Sequence, residues 1–141
     1  MTQRPAPPTL TQDIALHCLD ELGRPMAFMA SFGYHPDDPY AVWLTFRIPA
    51  GDVCWAVARS LLVRGLTEPA GEGDIRLWPG IDEDGRAVVR MDFHSPEGRL
   101  ITSARTADLH EFLARTWAAV PAGSESARVD LDRLVESLLA P

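Results

Sequence analysis

His110 and Glu111 resemble the start of a zinc-protease motif, in which two histidines four residues apart on one helix bind the metal. The position of the second histidine is occupied by Ala114. One imidazole alone cannot hold a catalytic zinc, which needs three protein ligands. The pair is therefore interpreted as polar residues on the exposed side of an amphipathic helix.

Serine and phosphate chemistry lack their usual residue patterns as well. Ser31 and His35 are four residues apart on a predicted strand, about 13 Å at strand spacing, which is too far for proton transfer. The glycine-rich segment 71–74 precedes a predicted strand, whereas phosphate-binding loops follow a strand and open a helix. His17 and Cys18 are neighbours on a strand and point to opposite faces, so they are not expected to share a metal. We predict no catalytic residue, cofactor or metal, and a protein that is not an enzyme.

The composition of the chain limits its partners and its compartment. The 141 residues carry a net charge of −7, which disfavours nucleic acid as a partner. The two cysteines have no paired spacing and fit thiols in a reducing cytosol better than a disulfide. No apolar run reaches membrane-spanning length, so we expect a cytoplasmic protein without direct membrane insertion.

Hydrophobic periodicity predicts how these residues are positioned. Residues 1–9 are expected to be a disordered lead-in and residues 10–141 a single α+β domain. Two successive βββα-type units are predicted to form a mostly antiparallel sheet with helices packed on one side, followed by a C-terminal helix. In the first unit, Asp52 is expected to be the N-terminal cap of a helix and Gly65 its C-terminal cap. Thr106 and Asp130 are expected to cap the second and last helices, and residues 67–73 to form a loop.

Tryptophan and arginine side chains on the predicted elements form a candidate interaction surface. Trp43 and Arg47 share one face of the third strand, and Arg76 and Trp78 share one face of the fourth. On the predicted first helix Trp55 and Arg59 are one turn apart and could stack. Protein interfaces favour these residue types. The alternative is that the tryptophans fill a second core beneath helices.

Several stretches of the chain match a known family. They occur in the family's order over nearly the whole chain and are Asp38–Val42, Thr45-Phe46, Val53–Leu66, Gly71–Pro79, Phe112-Leu113 with Thr116, Val120–Glu125, Asp130–Asp132 and Leu138–Ala140. By these stretches the chain resembles the SsgA-like sporulation and cell division proteins of actinomycetes, and within them the SsgB branch.

The resemblance implies a non-enzymatic role in placing the division septum during sporulation. Its implied partners are the tubulin-like protein FtsZ, recruited to future septum sites, and other SsgA-like proteins. It also implies a homo-oligomer, with a trimer favoured, and a fold with a curved sheet and packed helices, similar to the whirly-type single-stranded DNA-binding proteins. Single-stranded nucleic-acid binding is therefore the alternative function, although fold alone does not carry function.

Overall fold

A computed structural model describes residues 10–20, 22–48, 51–96 and 98–139; for residues 127–132 the description covers the backbone alone. Residues 1–9, the predicted lead-in, lie outside the described residues. The elements are β1 (Leu10–Leu19), β2 (Pro25–Tyr34), β3 (Ala41–Ile48), β4 (Gly51–Ala58), α1 (Arg59–Gly65), β5 (Ala70–Glu72), β6 (Ile75–Ile81), β7 (Ala87–Ser95), β8 (Gly98–Arg105), α2 (Thr106–Ala119) and α3 (Glu125–Leu139). No helix among the described residues is both long enough and apolar enough to cross a membrane.

All eight strands form one antiparallel sheet in the order β4-β3-β2-β1-β8-β7-β6-β5. The sheet is strongly curled. Phe93 on β7 lies 5.1 Å from Phe46 on β3 and 5.3 Å from Trp55 on β4, measured between ring centroids. In a flat sheet, strands four places apart would be separated by about 19 Å. The predicted curved antiparallel sheet is thus confirmed.

The core lies on the concave face of the sheet. Alternate residues of the strands point inward, as the period-two pattern predicts, and are almost fully buried. They include Ile14, Leu16, Phe32, Tyr34, Val42, Leu44, Phe46, Val57, Leu77, Val89, Met91 and Phe93. Helix α2 covers this face with Leu109, Phe112 and Leu113, and the Phe112 ring packs edge-on to Phe32 at 5.6 Å.

The expected helix from Asp52 to Gly65 is wrong in its first half, because Gly51–Ala58 is strand β4. Residues 53–58 are apolar at nearly every position, so their pattern does not distinguish a helix from a strand. The choice is made by pairing, because β4 aligns with all of β3 and places Trp55 opposite Leu44. Each half of the chain therefore has four strands before its helix, not three, and β5 lies inside the expected 67–73 loop.

Three residues that were expected to cap helices lie inside the helices and not at the cap positions. Gly65 is the last residue of α1, and a side chain there would place its Cβ 2.7 Å from Leu77 Cβ, so glycine permits this close contact. Thr106 is the first residue of α2 and not its cap. Helix α3 begins at Glu125, five residues before the expected Asp130.

The two halves of the sheet meet at a narrow seam. β1 and β8 are paired only at Leu16–Ala104 and His17–Ser103, whereas β1 and β2 pair along their whole length. Helix α2 contacts β1 on one side of the seam and β7 and β8 on the other. Side-chain packing against α2 therefore contributes much of the contact that holds the two halves of the sheet together.

Candidate functional site

Arg76 and Trp78 lie on the convex face of β6, beside an open groove of about 710 Å³. We call this the β5–β8 groove. It is lined by Pro69, Ala70, Gly71, Glu72, Gly73, Arg76, Leu77, Trp78, Asp92 and Arg99. Trp78 is half-buried and Arg76 is exposed. The predicted sharing of one face by these two residues agrees with the structure.

An ion pair forms part of the groove. Asp92 on β7 is only 3% exposed although it lies on the convex face. Its carboxylate accepts hydrogen bonds from Arg99 Nε at 3.0 Å and Arg99 Nη2 at 2.7 Å, and His94 Nε2 lies 3.3 Å away. The hydrogen bonds from Arg99 are the main cause that holds the pKa of Asp92 below its ordinary value. Arg99 is consequently fixed in orientation while its own side chain stays 55% exposed.

Arg76 is the second guanidinium of the groove. It lies directly across the strand pair from Asp92, but both oxygens of that carboxylate are already bound to Arg99. Within the part of the chain that the structure describes, no group accepts a hydrogen bond from Arg76. Glu72 lies on the rim of the same groove, so the net formal charge of the groove is small. The N–H donors of Arg76 that have no acceptor among the described residues are therefore a local feature and not part of a basic surface.

Trp43 and Arg47 lie on the convex face of β3 and form a separate polar patch. Arg47 Nη2 donates to Ser31 Oγ at 2.8 Å, and Ser31 Oγ donates to Asp13 Oδ1 at 2.7 Å. Trp43 Nε1 donates to Asp38 Oδ2 at 3.2 Å. Both side chains thus have partners within the protein. The patch is five strand positions from β6, so it cannot form one continuous contact with the β5–β8 groove.

Trp55 and Arg59 are not on this surface, and the predicted stacking between them is wrong. Trp55 points to the concave face and packs on Phe93, because it lies on a strand and not on a helix. Arg59 is only 2% exposed and its guanidinium lies over the Tyr34 ring, 5.2 Å from the centroid. The alternative of tryptophans in the core therefore applies to Trp55.

Arg59 is a buried structural cation. Its Nη1 donates to the carbonyls of Thr116 at 3.2 Å and Val120 at 2.7 Å, at the C-terminal end of α2. Its Nη2 donates to the Glu125 carboxylate at the start of α3. That hydrogen bond is the main cause that lowers the pKa of Glu125. Arg59 therefore links α1, on which it lies, to the end of α2 and the start of α3.

Sequence reasoning missed Asp92 and Arg99 as groove residues. A recoverable signal existed, because the two residues lie on successive strands, β7 and β8, and carry opposite charges at positions that approach each other in a hairpin. Their pairing depends on register, which residue types alone do not fix. Among the described residues no group of three or more histidine, cysteine, aspartate or glutamate side chains could hold a metal ion.

The family model for the Streptomyces sporulation and cell division protein SsgA matches residues 28–125. The chain belongs to this family. Its relatives include the sporulation-specific cell division protein SsgB of Streptomyces coelicolor, 44% identical over 79% of this chain and 81% of the relative. SsgB of Frankia casuarinae is 38% identical over 88% of this chain and 87% of the relative. The sequence-based assignment to the SsgA-like family, with similarity to SsgB, is confirmed.

The fold is also that of a solved family member. The crystal structure of an SsgA-like sporulation-specific cell division protein from Thermobifida fusca has a TM-score of 0.84 and 33% sequence identity. That likeness covers 97% of this chain and 100% of the T. fusca chain. The β5–β8 groove and the Trp43 patch are thus carried by the fold of a cell division family.

Proposed function

We propose that this protein is a non-enzymatic scaffold that helps to position the division septum during sporulation by recruiting FtsZ to septum sites in the cytoplasm. Two facts support the proposal: family membership, and a convex sheet face on which Arg76 and Trp78 line an open groove instead of serving the core. The main supporting observation is that no described residue accepts a hydrogen bond from the Arg76 guanidinium, which lies beside a tryptophan on the same face of β6. Arginine and tryptophan together are typical of protein-binding surfaces.

The proposed scaffold acts as a homo-oligomer, with a trimer favoured. Several copies of one partner-binding surface gain avidity when the partner is a polymer. Helix α1 is not available as the contact, because Leu61 and Leu62 are buried in the core of the same subunit. Helix α3 offers a better surface between copies, since Leu134, Val135, Leu138 and Leu139 are 45–79% exposed. Other SsgA-like proteins are proposed as further partners.

We also propose that the fold is similar to the whirly type. Single-stranded nucleic-acid binding is the function that this similarity would imply, and it is less favoured than the scaffold. The net charge of −7 opposes contact with a phosphate backbone. Arg47 is already bonded to Ser31 within the protein, whereas no group among the described residues accepts a hydrogen bond from Arg76.

A deletion strain complemented with variants tests the proposal. The wild-type gene should restore regular septa and septal FtsZ foci. The double variant Arg76→Ala with Trp78→Ala should be expressed at the wild-type level but should not restore the foci. Arg64→Ala, which removes an exposed arginine from α1, is the matched control and should behave like wild type. Regular septa and FtsZ foci in the uncomplemented strain would contradict the proposal.

Purified components provide the direct test. The protein should co-sediment with FtsZ polymers, and the double variant should lose this binding while keeping its thermal unfolding transition. Salt-dependent binding to an oligothymidylate, without any binding to FtsZ, would favour the nucleic-acid function instead.

A further inference from the structure

We propose that the β5–β8 groove binds an acidic peptide segment of a protein partner. One carboxylate of the peptide would lie between Arg76 and Arg99, and an apolar side chain would lie against Trp78. This inference rests on the proposed function and adds to it the place and the chemistry of the partner's contact.

The first argument is the arrangement of the two guanidinium groups. Arg76 on β6 and Arg99 on β8 both line the groove and flank Asp92 on β7. Arg99 is held by two N–H donors that point at Asp92, while among the described residues its Nη1 has no acceptor. Arg76 has no acceptor there either. Two such donors, one of them already oriented, favour a planar carboxylate, which accepts hydrogen bonds through both oxygens.

Asp92 is a positioning residue in this proposal. Because it is buried and ionised, it fixes Arg99 at the groove and lowers the conformational entropy that the arginine would lose on binding. Its two oxygens accept hydrogen bonds from Arg99 and not from Arg76, so the N–H donors of Arg76 are not taken up by this carboxylate. The groove therefore combines a buried anion with two cations, each of which has N–H donors without an acceptor among the described residues.

The second argument is the shape of the groove. Trp78 provides a flat apolar wall, and Gly71 and Gly73 add no side chains that would fill the opposite rim. β5 is the edge strand of the sheet and only three residues long, so an extended peptide can lie beside it and use its backbone hydrogen-bonding groups. A volume of about 710 Å³ is large enough for several residues of such a peptide.

Charge decides between a peptide and a nucleic acid. Glu72 on the rim and the overall charge of −7 oppose a polyanion, which would bring many phosphates near the acidic surface. A short segment with few carboxylates meets mainly the two arginines. Glu72 also predicts that the best ligands place their carboxylate away from this rim.

The experiment is an NMR titration of the isotope-labelled full chain with one defined probe, the blocked peptide acetyl-Glu-Glu-Leu-Phe-Glu-Glu-amide. We expect saturable shifts of the Trp78 indole and of the Arg76 and Arg99 Nε–H signals. Arg76→Ala should weaken binding by about tenfold, since a charge-assisted hydrogen bond is lost. Glu72→Gln should strengthen it by about twofold. Arg133→Ala, with the same change in charge on α3, should leave the affinity unchanged.

The outcomes separate this inference from the proposed function. Absence of shifts at the groove, equal binding of the same peptide with glutamine in place of glutamate, or stronger binding of an oligothymidylate at these residues would each overturn the groove assignment. Co-sedimentation with FtsZ that Arg76→Ala and Glu72→Gln do not alter, but that the double variant at Arg76 and Trp78 loses, would also overturn it while leaving the scaffold function intact. Groove binding of the probe without any FtsZ binding would instead contradict the proposed function.

Discussion

The guanidinium of Arg59, at the first position of α1, donates to the carboxylate of Glu125, at the first position of α3. Both residues also contact the turn between α2 and α3: Arg59 donates to the Val120 carbonyl, and Glu125 accepts from the Gly123 amide. One buried ion pair thereby links the end of the first half of the chain to its last helix. This linkage fixes where α3 leaves the domain.

Arg59→Ala should lower the free energy of unfolding by about 3–5 kcal/mol, because it leaves Glu125 without its buried partner and uncaps two carbonyls of α2. Urea unfolding followed by tryptophan fluorescence measures the change. Arg64→Ala, at an exposed position of the same helix, is the control and should cost less than about 0.5 kcal/mol. Equal costs for the two substitutions would show that the buried pair is not important for stability.

Acid should destabilise the protein through Asp92 and Glu125. Folding lowers the pKa of both carboxyls, so the unfolded chain binds their protons more readily. The stability that they contribute is present above their ordinary values of 3.8 and 4.5 and is lost as the pH falls below them. Urea unfolding at pH 7 and at about pH 3 should show this loss. Asp92→Asn and Glu125→Gln should each reduce the loss of unfolding free energy between pH 7 and about pH 3. The same loss as in the wild type in both variants would contradict the role of these two carboxyls.

Gly65→Ala should destabilise the fold by about 1–3 kcal/mol, because the new Cβ would overlap Leu77 Cβ, which is fixed by its strand. Gly98→Ala is the matched control, since a Cβ there meets nothing within 4 Å. Thermal or urea unfolding compares the two variants. A tolerated alanine at position 65 would mean that α1 and β6 are not in such close contact.

Leu138→Glu should weaken self-association if α3 is the contact between copies. Leu138 is 74% exposed, so the substitution should change the stability of the single subunit by less than about 0.5 kcal/mol. Light scattering coupled to size-exclusion chromatography measures the mass. Ser137→Glu adds the same charge at the neighbouring exposed position and should leave the mass unchanged. A wild-type protein that is monomeric at all concentrations would contradict the oligomer proposal.

Alternation along the strands was sufficient to predict most of the sheet. Where one face is apolar and the other polar, as in Ile14, Leu16 and Cys18 of β1, the inward residues follow from the sequence. The prediction of a helix at β4 was wrong because Val53–Ala58 is apolar on both faces. Only the partner strand β3 decides its structure, and pairing between strands is a property of the tertiary fold.

Alternation along one strand also made part of the candidate site predictable. Arg76 and Trp78 were found because they alternate with buried Ile75 and Leu77 on one strand. The contribution of Arg99 depends on the register of β7 against β8, and the burial of Arg59 depends on the position of α3. Neither follows from spacing along the chain.

The narrow seam between β1 and β8 has a consequence for folding kinetics. Within each half of the sheet, β1 to β4 and β5 to β8, every strand pairs with its neighbour in the chain, so these hairpins close short loops at little entropic cost. The Leu16–Ala104 and His17–Ser103 pairs join distant parts of the chain and form only a short ladder. Seam formation should therefore wait for α2 to dock on both halves, which makes helix docking the slow event of folding.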